Sequence, residues 1–171
     1  IFNKLFYKSY DKNNIFNSPT ELKIKKVNNS LYVSDTLKSS GKIGVGIVAF
    51  DKHNRANNNN GIYKIITSLD NKNLLEILFD SISFDKTKHI NTFIDYSFFK
   101  NHKIKIQKLY IEENNPLELY SSNINNGFIT IENKEFYKYE VNIYDANGNK
   151  SRLVVPILWV KKNETLKLVD N

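Results

Sequence analysis

Short alternating runs of apolar residues, broken by Asn, Asp and Gly, constrain the fold of this chain more than any other feature. Such alternation predicts half-buried β-strands, because successive side chains of a strand point to opposite faces. About ten runs, separated by turn residues, are typical of a sandwich or barrel. We therefore expect an all-β fold: an immunoglobulin-like antiparallel β-sandwich with long loops and at most one short helix, near Tyr96 to Asn101.

The domain organisation follows from length and pattern. The chain has 171 residues and no Cys, so its core must form by packing alone, without disulfides or thiolate metal sites. We expect one large sandwich over residues 1–160, with an entry segment and the first strand in residues 1–21, and a linker or tail over residues 161–171. Because the sequence starts at Ile1 rather than Met, we expect it to be a processed or cropped part of a longer protein.

Three glycine-rich or turn-rich stretches predict specific pairings. Gly41–Phe50 is predicted to be a central strand in which Gly44 and Gly46 allow close approach of a backbone or a ring. Residues 70–72 are predicted to be the turn of one hairpin, and residues 145–149 the connection of another.

Two further predictions concern Pro156 and the segment around Lys108. Pro156 lies on the face opposite to Leu153, Val155, Ile157 and Trp159 and cannot donate a ladder hydrogen bond, so that strand is expected at an edge or with its backbone nitrogen facing outward at this residue. The apolar phase flips between Ile106 and Leu109, which favours a bulge near Lys108.

The charge does not indicate a nucleic-acid partner. The net charge is +7, but Lys outnumbers Arg by 23 to 2, and the chain also holds 26 Asn and 20 Ile. These three abundant residues have AT-rich codons, and phosphate or base recognition favours arginine. No apolar run is long enough for a membrane span.

Catalytic and metal-binding motifs are missing from the pattern. His53, His89 and His102 lack a partner at the spacing of H-x-H, H-E-x-x-H or H-x-x-x-D, so each is interpreted as an ordinary loop or surface histidine. We expect no catalytic residue, metal or cofactor in this chain.

Two acidic patterns have simpler interpretations than catalysis or calcium binding. Glu112 and Glu113 are adjacent and are expected to be solvated. Asp145, Asn147 and Asn149 have the spacing of calcium ligands, but they lack the bidentate Glu of an EF-hand, and a hairpin connection is favoured.

The aromatic content is high, with 11 Phe, 10 Tyr and 1 Trp. Most of these rings are expected to fill the core, but exposed rings on a β face also bind sugars. The candidate surface residues for binding are Tyr7, Tyr10, Tyr120, Tyr144 and Trp159.

Four segments, taken in order, resemble a known family. They are GKIGVGIVAFDKHNRANNNNGIYKI (Gly41–Ile65), FDSISFDKTKHINTFIDY (Phe79–Tyr96), IQKLYIEENNPLELY (Ile106–Tyr120) and YEVNIYDANGNKS (Tyr139–Ser151). Together they are similar to the non-catalytic β region that follows the peptidase domain of lysostaphin/LytM-type zinc metallopeptidases, as found in Bacteroidetes-like bacteria.

The resemblance implies an accessory part of an exported peptidoglycan-cleaving enzyme. Zinc would belong to the parent's peptidase domain, since the family's H-x-x-x-D and H-x-H elements are absent here. The implied location is the periplasm or cell envelope, and the implied partners are peptidoglycan or envelope proteins. Two alternatives stay open: a structural subunit or docking domain of an envelope complex, and a carbohydrate-binding or adhesin-like sandwich.

Overall fold

The computed structural model describes residues 1–10, 18–50, 62–79 and 91–161. Within these ranges the chain forms thirteen strands, one α-helix and 3-10 backbone at residues 91–92 and 125–127. The strands are β1 (Phe2–Ser9), β2 (Thr20–Leu22), β3 (Ile24–Lys26), β4 (Leu31–Ser34), β5 (Leu37–Ser39), β6 (Gly41–Ala49), β7 (Lys64–Leu69), β8 (Lys72–Leu78), β9 (Gln107–Lys108), β10 (Tyr120–Asn123), β11 (Ile129–Ile131), β12 (Phe136–Tyr144) and β13 (Lys150–Trp159). The α-helix, α1, is Tyr96–His102, and the second 3-10 segment is Asn125–Gly127.

The strands build two sheets around one core, which confirms the all-β, sandwich-like prediction. The first sheet has the order β11-β6-β1-β2, with β9 also paired to β6. The second has the order β10-β8-β7-β12-β13-β4-β3, with β5 also paired to β13. A single buried cluster joins both sheets, from Leu5 and Ile47 of the first to Ile65, Val141 and Val155 of the second. The immunoglobulin-like character of the arrangement stays a prediction.

The two predicted hairpins are confirmed. β7 and β8 are joined by Asp70 and Asn71, both with positive φ (49° and 68°), so the turn is one residue shorter than predicted. This is the backbone of a two-residue hairpin turn, whose twist matches that of the flanking strands. β12 and β13 pair over their whole length, with one alternate set of side chains in the core.

The sandwich is not purely antiparallel, and this corrects the prediction. β13 pairs in parallel with β4 through residues 152–154 and with β5 through residues 157–159, so β13 is an internal strand. Pro156 falls between these two pairings. The N–H groups of Arg152 and Val160, which have the same parity, donate towards the β4–β5 side. The proline nitrogen therefore faces the break between β4 and β5, where no ladder bond is lost.

The interval from Leu22 to Val27 contributes to both sheets rather than to one continuous strand. β2 pairs with β1 in the first sheet, whereas β3 pairs with β4 in the second. The chain thus crosses between the sheets at Lys23.

Helix α1 and the side chains of Ile106 and Tyr110 form a third layer on the outer face of the first sheet. The two glycines of β6 make room for this layer. The Phe98 ring of α1 packs edge-on against Phe6 of β1, with centroids 5.5 Å apart. A Cβ on Gly46 would lie 2.4 Å from Ile106 Cγ2, and one on Gly44 would lie 2.7 Å from Tyr110 Cδ1. The predicted close approach is confirmed at both positions.

The bulge expected near Lys108 is not present, since the β6–β9 register carries no shift. Ile106, Lys108 and Tyr110 are buried on the outer face of the first sheet, while Leu109 lies in the core between the sheets. Burial of both faces, rather than a bulge, produces the apparent flip of phase.

Candidate functional site

A cleft of about 350 Å³ opens at the outer face of the first sheet, and we call it the Tyr96 cleft. It is lined by Lys8 of β1, by side chains from residues 91–97, and by side chains from residues 108–115. Its size falls within the range of roughly 300–1,000 Å³ that is typical of small-ligand pockets. Three distant parts of the chain therefore meet in one concave surface.

Two ion pairs form the floor of the Tyr96 cleft. Lys8 pairs with Asp95, and their side chains are only 15% and 6% exposed. Lys108 Nζ lies 2.6 Å from Glu112 Oε2, with side-chain exposures of 6% and 39%. Because a charge buried without a partner is costly, each lysine needs its carboxylate, and the floor carries little net charge.

Local hydrogen bonds fix the walls of the cleft. Asp95 is the N-cap of α1, and its Oδ1 accepts the N–H of Phe98 at 3.1 Å. Asn115 Oδ1 accepts the N–H of Leu117 at 3.0 Å and the hydroxyl of Thr92 at 3.2 Å, which ties the two walls together. The cleft is therefore held by the backbone and by side chains that do not need a ligand to order them.

A second and larger cleft, of about 700 Å³, lies beyond the Glu112–Glu113 loop, and we call it the Lys42 cleft. Lys42 Nζ lies 4.1 Å from the centroid of the Phe128 ring and 4.9 Å from that of Tyr10. This is a cation–π arrangement in which both rings are buried against the ammonium group. The rim is completed by Asn125 and Asn126, both with positive φ.

Burial raises the pKa of three tyrosines around the clefts. It raises the pKa of Tyr10 and of Tyr110, and the nearby charge of Glu112 adds to the effect in both. Burial also raises the pKa of Tyr120, outweighing a hydrogen bond from Asn115 that lowers it. These phenols stay protonated at physiological pH, so they serve as packing and hydrogen-bonding groups rather than as phenolate nucleophiles or bases.

Glu112 and Glu113 lie between the two clefts and line both of them. The expectation of a simple solvated pair holds for Glu113, which is exposed. The Glu112 side chain is also 39% exposed, but its carboxylate is in addition the partner of the buried Lys108 ammonium. The two neighbouring carboxylates therefore lie in different environments, one in an ion pair and one exposed.

The five aromatic candidates do not form one site. Tyr10 is buried in a small cluster with Tyr110 and Phe128, which corrects its assignment to the surface. Tyr7 is half-buried against the core. Tyr120 is also half-buried, and its hydroxyl accepts a hydrogen bond from Asn115 Nδ2 at 3.1 Å, behind the Tyr96 cleft.

The other two aromatic candidates lie elsewhere. Tyr144 is half-buried on the outer face of the second sheet, with the ammonium groups of Lys64 and Lys150 5.0 and 5.7 Å from its ring centroid. Trp159 is 36% exposed and borders a shallow depression with residues 133–135.

The histidine and calcium alternatives can be placed only in part. His53 and His89 lie outside the described residues, and His102 is the exposed last residue of α1, with its ring 4.2 Å from that of Phe98. Asp145 Oδ1 accepts the N–H groups of Asn147 and Asn149 at 2.9 and 2.8 Å. The spacing of these oxygens therefore has a structural explanation as a hairpin connection.

Sequence reasoning missed Tyr96, which is 51% exposed at the rim of the cleft that bears its name. It was interpreted only as the start of a helix. The available signal was an Asp, which is a favoured N-cap residue, directly before a Tyr at the start of the predicted helix.

In the parts of the chain that the structure describes, no group of three or more His, Cys, Asp and Glu side chains is arranged to hold a metal ion. Across those same ranges, no helix has the length and apolar character required to cross a membrane. Comparison of the chain with protein-family models, with curated proteins and with solved structures finds no match.

Proposed function

We propose that this chain is a non-catalytic module of an exported zinc metallopeptidase that cleaves peptidoglycan, and that it holds the catalytic domain at the cell wall. One observation carries the proposal. Residues 91–96 and 108–115 supply the two walls of the Tyr96 cleft, and they belong to two of the four segments that resemble the family, Phe79–Tyr96 and Ile106–Tyr120. Two segments that share the resemblance thus contribute to one concave surface.

The chemistry of the cleft supports binding as its role. Its lysines are already paired with carboxylates. The accessible groups include the amides of Asn91 and Asn114, the Glu113 carboxylate, hydroxyl groups and one ring. Groups of this kind recognise a ligand by hydrogen bonds and packing.

The test is co-sedimentation of the purified chain with isolated peptidoglycan sacculi at about 50 and 300 mM salt, with soluble muropeptides assayed in the same samples. We expect binding that survives the higher salt, without release of muropeptides. Release that a chelator abolishes would overturn the non-catalytic assignment. Binding that is lost at the higher salt would indicate only electrostatic attraction between a protein of net charge +7 and anionic peptidoglycan. Absence of binding at both concentrations would favour a docking or structural role in an envelope complex.

A further inference from the structure

We infer that the Tyr96 cleft binds a neutral saccharide, with the Tyr96 ring as its stacking surface. The inference rests on the proposed function in one respect, because it names the glycan part of the wall as the ligand. It is otherwise argued from the side chains of the cleft.

The first step concerns charge. The two buried ion pairs neutralise Lys8 and Lys108, so neither ammonium group offers an unbalanced positive charge to a ligand. Glu113 lines the cleft as an exposed carboxylate. An anionic ligand would meet this charge without a compensating cation, whereas sugar hydroxyl groups can donate hydrogen bonds to it. The electrostatics of the cleft therefore disfavour an anionic ligand and leave an uncharged polyol able to bind through hydrogen bonds.

The second step concerns the ring. Tyr96 is 51% exposed. It is the first residue of α1, a helix with a capping hydrogen bond at each end. Its ring contacts that of Phe99, at 6.4 Å between centroids and 47° between planes. A large exposed ring offers apolar area, and because a tyrosine side chain has only two χ angles, ordering it against a ligand costs little conformational entropy. The C–H face of a pyranose packs on such a surface.

The third step concerns the remaining polar groups. Asn91, Asn114 and Ser97 lie around the same cleft. Amide side chains present donors and an acceptor on one plane, which suits adjacent sugar hydroxyls or an N-acetyl group. Ring, amides and carboxylate around a concavity of about 350 Å³ complete a saccharide site.

The experiment is calorimetric titration of the full chain with a soluble oligomer of four N-acetylglucosamine units. We compare the unaltered protein with Tyr96→Ala, Tyr96→Phe and Phe136→Ala. Phe136 is the matched control because its side chain is 58% exposed but lies outside the cleft, on β12. Thermal unfolding of each variant checks that the fold is retained, which we expect because both side chains are on the surface.

We expect the unaltered chain and Phe136→Ala to bind equally, Tyr96→Phe to retain most of the affinity, and Tyr96→Ala to lose about fivefold or more. No binding by the unaltered chain would overturn the inference, as would equal affinity for Tyr96→Ala. Equal binding of a sugar-free stem peptide would also overturn it, since the ligand would then be peptidic.

This outcome is separable from that of the sacculus experiment. Tyr96-dependent binding of the soluble oligomer without binding to sacculi would retain the saccharide site and refute the wall module. Sacculus binding that is unchanged in Tyr96→Ala, with no affinity for the oligomer, would do the reverse.

Discussion

The contact between Gly46 and Ile106 yields a prediction that can be worked out in detail. Apolar carbon atoms pack best at roughly 3.5–4.0 Å, whereas a Cβ on Gly46 would lie 2.4 Å from Ile106 Cγ2 and 3.2 Å from the carbonyl oxygen of Gln107. Ile106 is 3% exposed, so it has little room to move. Overpacking of this kind costs about 1–3 kcal/mol. The better strand propensity of alanine offsets about 0.5–1 kcal/mol.

We therefore expect Gly46→Ala to lower the free energy of unfolding by about 1–2 kcal/mol, measured by urea unfolding with far-UV circular dichroism. The decisive measurement is a double-mutant cycle. Ile106→Ala alone should cost about 2–5 kcal/mol, but Gly46→Ala added to it should be close to neutral, because the clashing methyl group is gone. The carbonyl contact at 3.2 Å persists, so the recovery stays incomplete.

The matched control is Gly44→Ala, whose Cβ would clash with the Tyr110 ring rather than with Ile106. The Ile106→Ala background should not rescue it. Equal costs for Gly46→Ala in the two backgrounds, or equal rescue of both glycine variants, would refute the steric reasoning.

Three further predictions concern charge and backbone. Glu112→Gln should lower the free energy of unfolding by about 1–3 kcal/mol, because it leaves the buried Lys108 ammonium uncompensated, whereas Lys108→Met should change it by less than about 1 kcal/mol; the reverse order in urea unfolding would contradict this. Burial would raise the pKa of Asp70, but the hydrogen bond from Lys134, the backbone N–H of Lys138 and both lysine charges outweigh it and lower the pKa. The resulting stabilisation is present above the ordinary value of 3.8 and is lost as the pH falls through the lowered value, so thermal unfolding should show the wild type losing more stability than Asp70→Asn below about pH 4. That difference should stay under about 1 kcal/mol because the carboxylate is partly solvated, and equal losses would contradict it. Gly127→Ala should cost about 2–5 kcal/mol, because it combines a φ of +76° with a Cβ only 2.6 Å from the Leu109 carbonyl oxygen; a loss below 1 kcal/mol in urea would show that the turn can shift.

The parts of the fold that could be predicted from sequence are those with one buried face. Tyr139, Val141 and Ile143 alternate with polar residues, and this period of two predicts both the strand and its core-facing side. The glycines of β6 gave a separate signal, because glycine within an otherwise apolar strand is typical of a close approach by another group.

Where both faces are buried, the alternation is lost. Ile106 and Tyr110 are buried on the outer face of the first sheet, whereas Leu109 is buried in the core. Apolar residues therefore occur on both faces, and the local pattern resembles a bulge. The parallel pairings of β13 with β4 and β5 could not be predicted, because they depend on which distant strands become neighbours rather than on any local signal.

The candidate site escaped prediction for a related reason. Lys8, Asp95 and Lys108 come together only through the packing of the third layer on the first sheet, and each residue alone has the sequence pattern of a surface charge.

The abundance of asparagine, which codon bias can explain, also has a conformational use. Five asparagines occupy left-handed positions, a conformation that this residue tolerates better than most: Asn71, Asn114, Asn125, Asn126 and Asn133.

The position of β13 has a consequence for how the chain acquires its structure. This strand joins β12 on one side to β4 and β5 on the other, so the middle of the second sheet combines residues 31–39 with residues 150–159. On a ribosome, β4 and β5 are synthesised long before their partner, and contacts of such high sequence separation form slowly. Until β13 arrives, β12 has an open edge whose inner side chains, from Tyr139 to Ile143, are fully apolar apart from one phenol. A nascent or truncated chain that ends before Lys150 is therefore a template for aggregation, and its safe folding depends on completing the last hairpin.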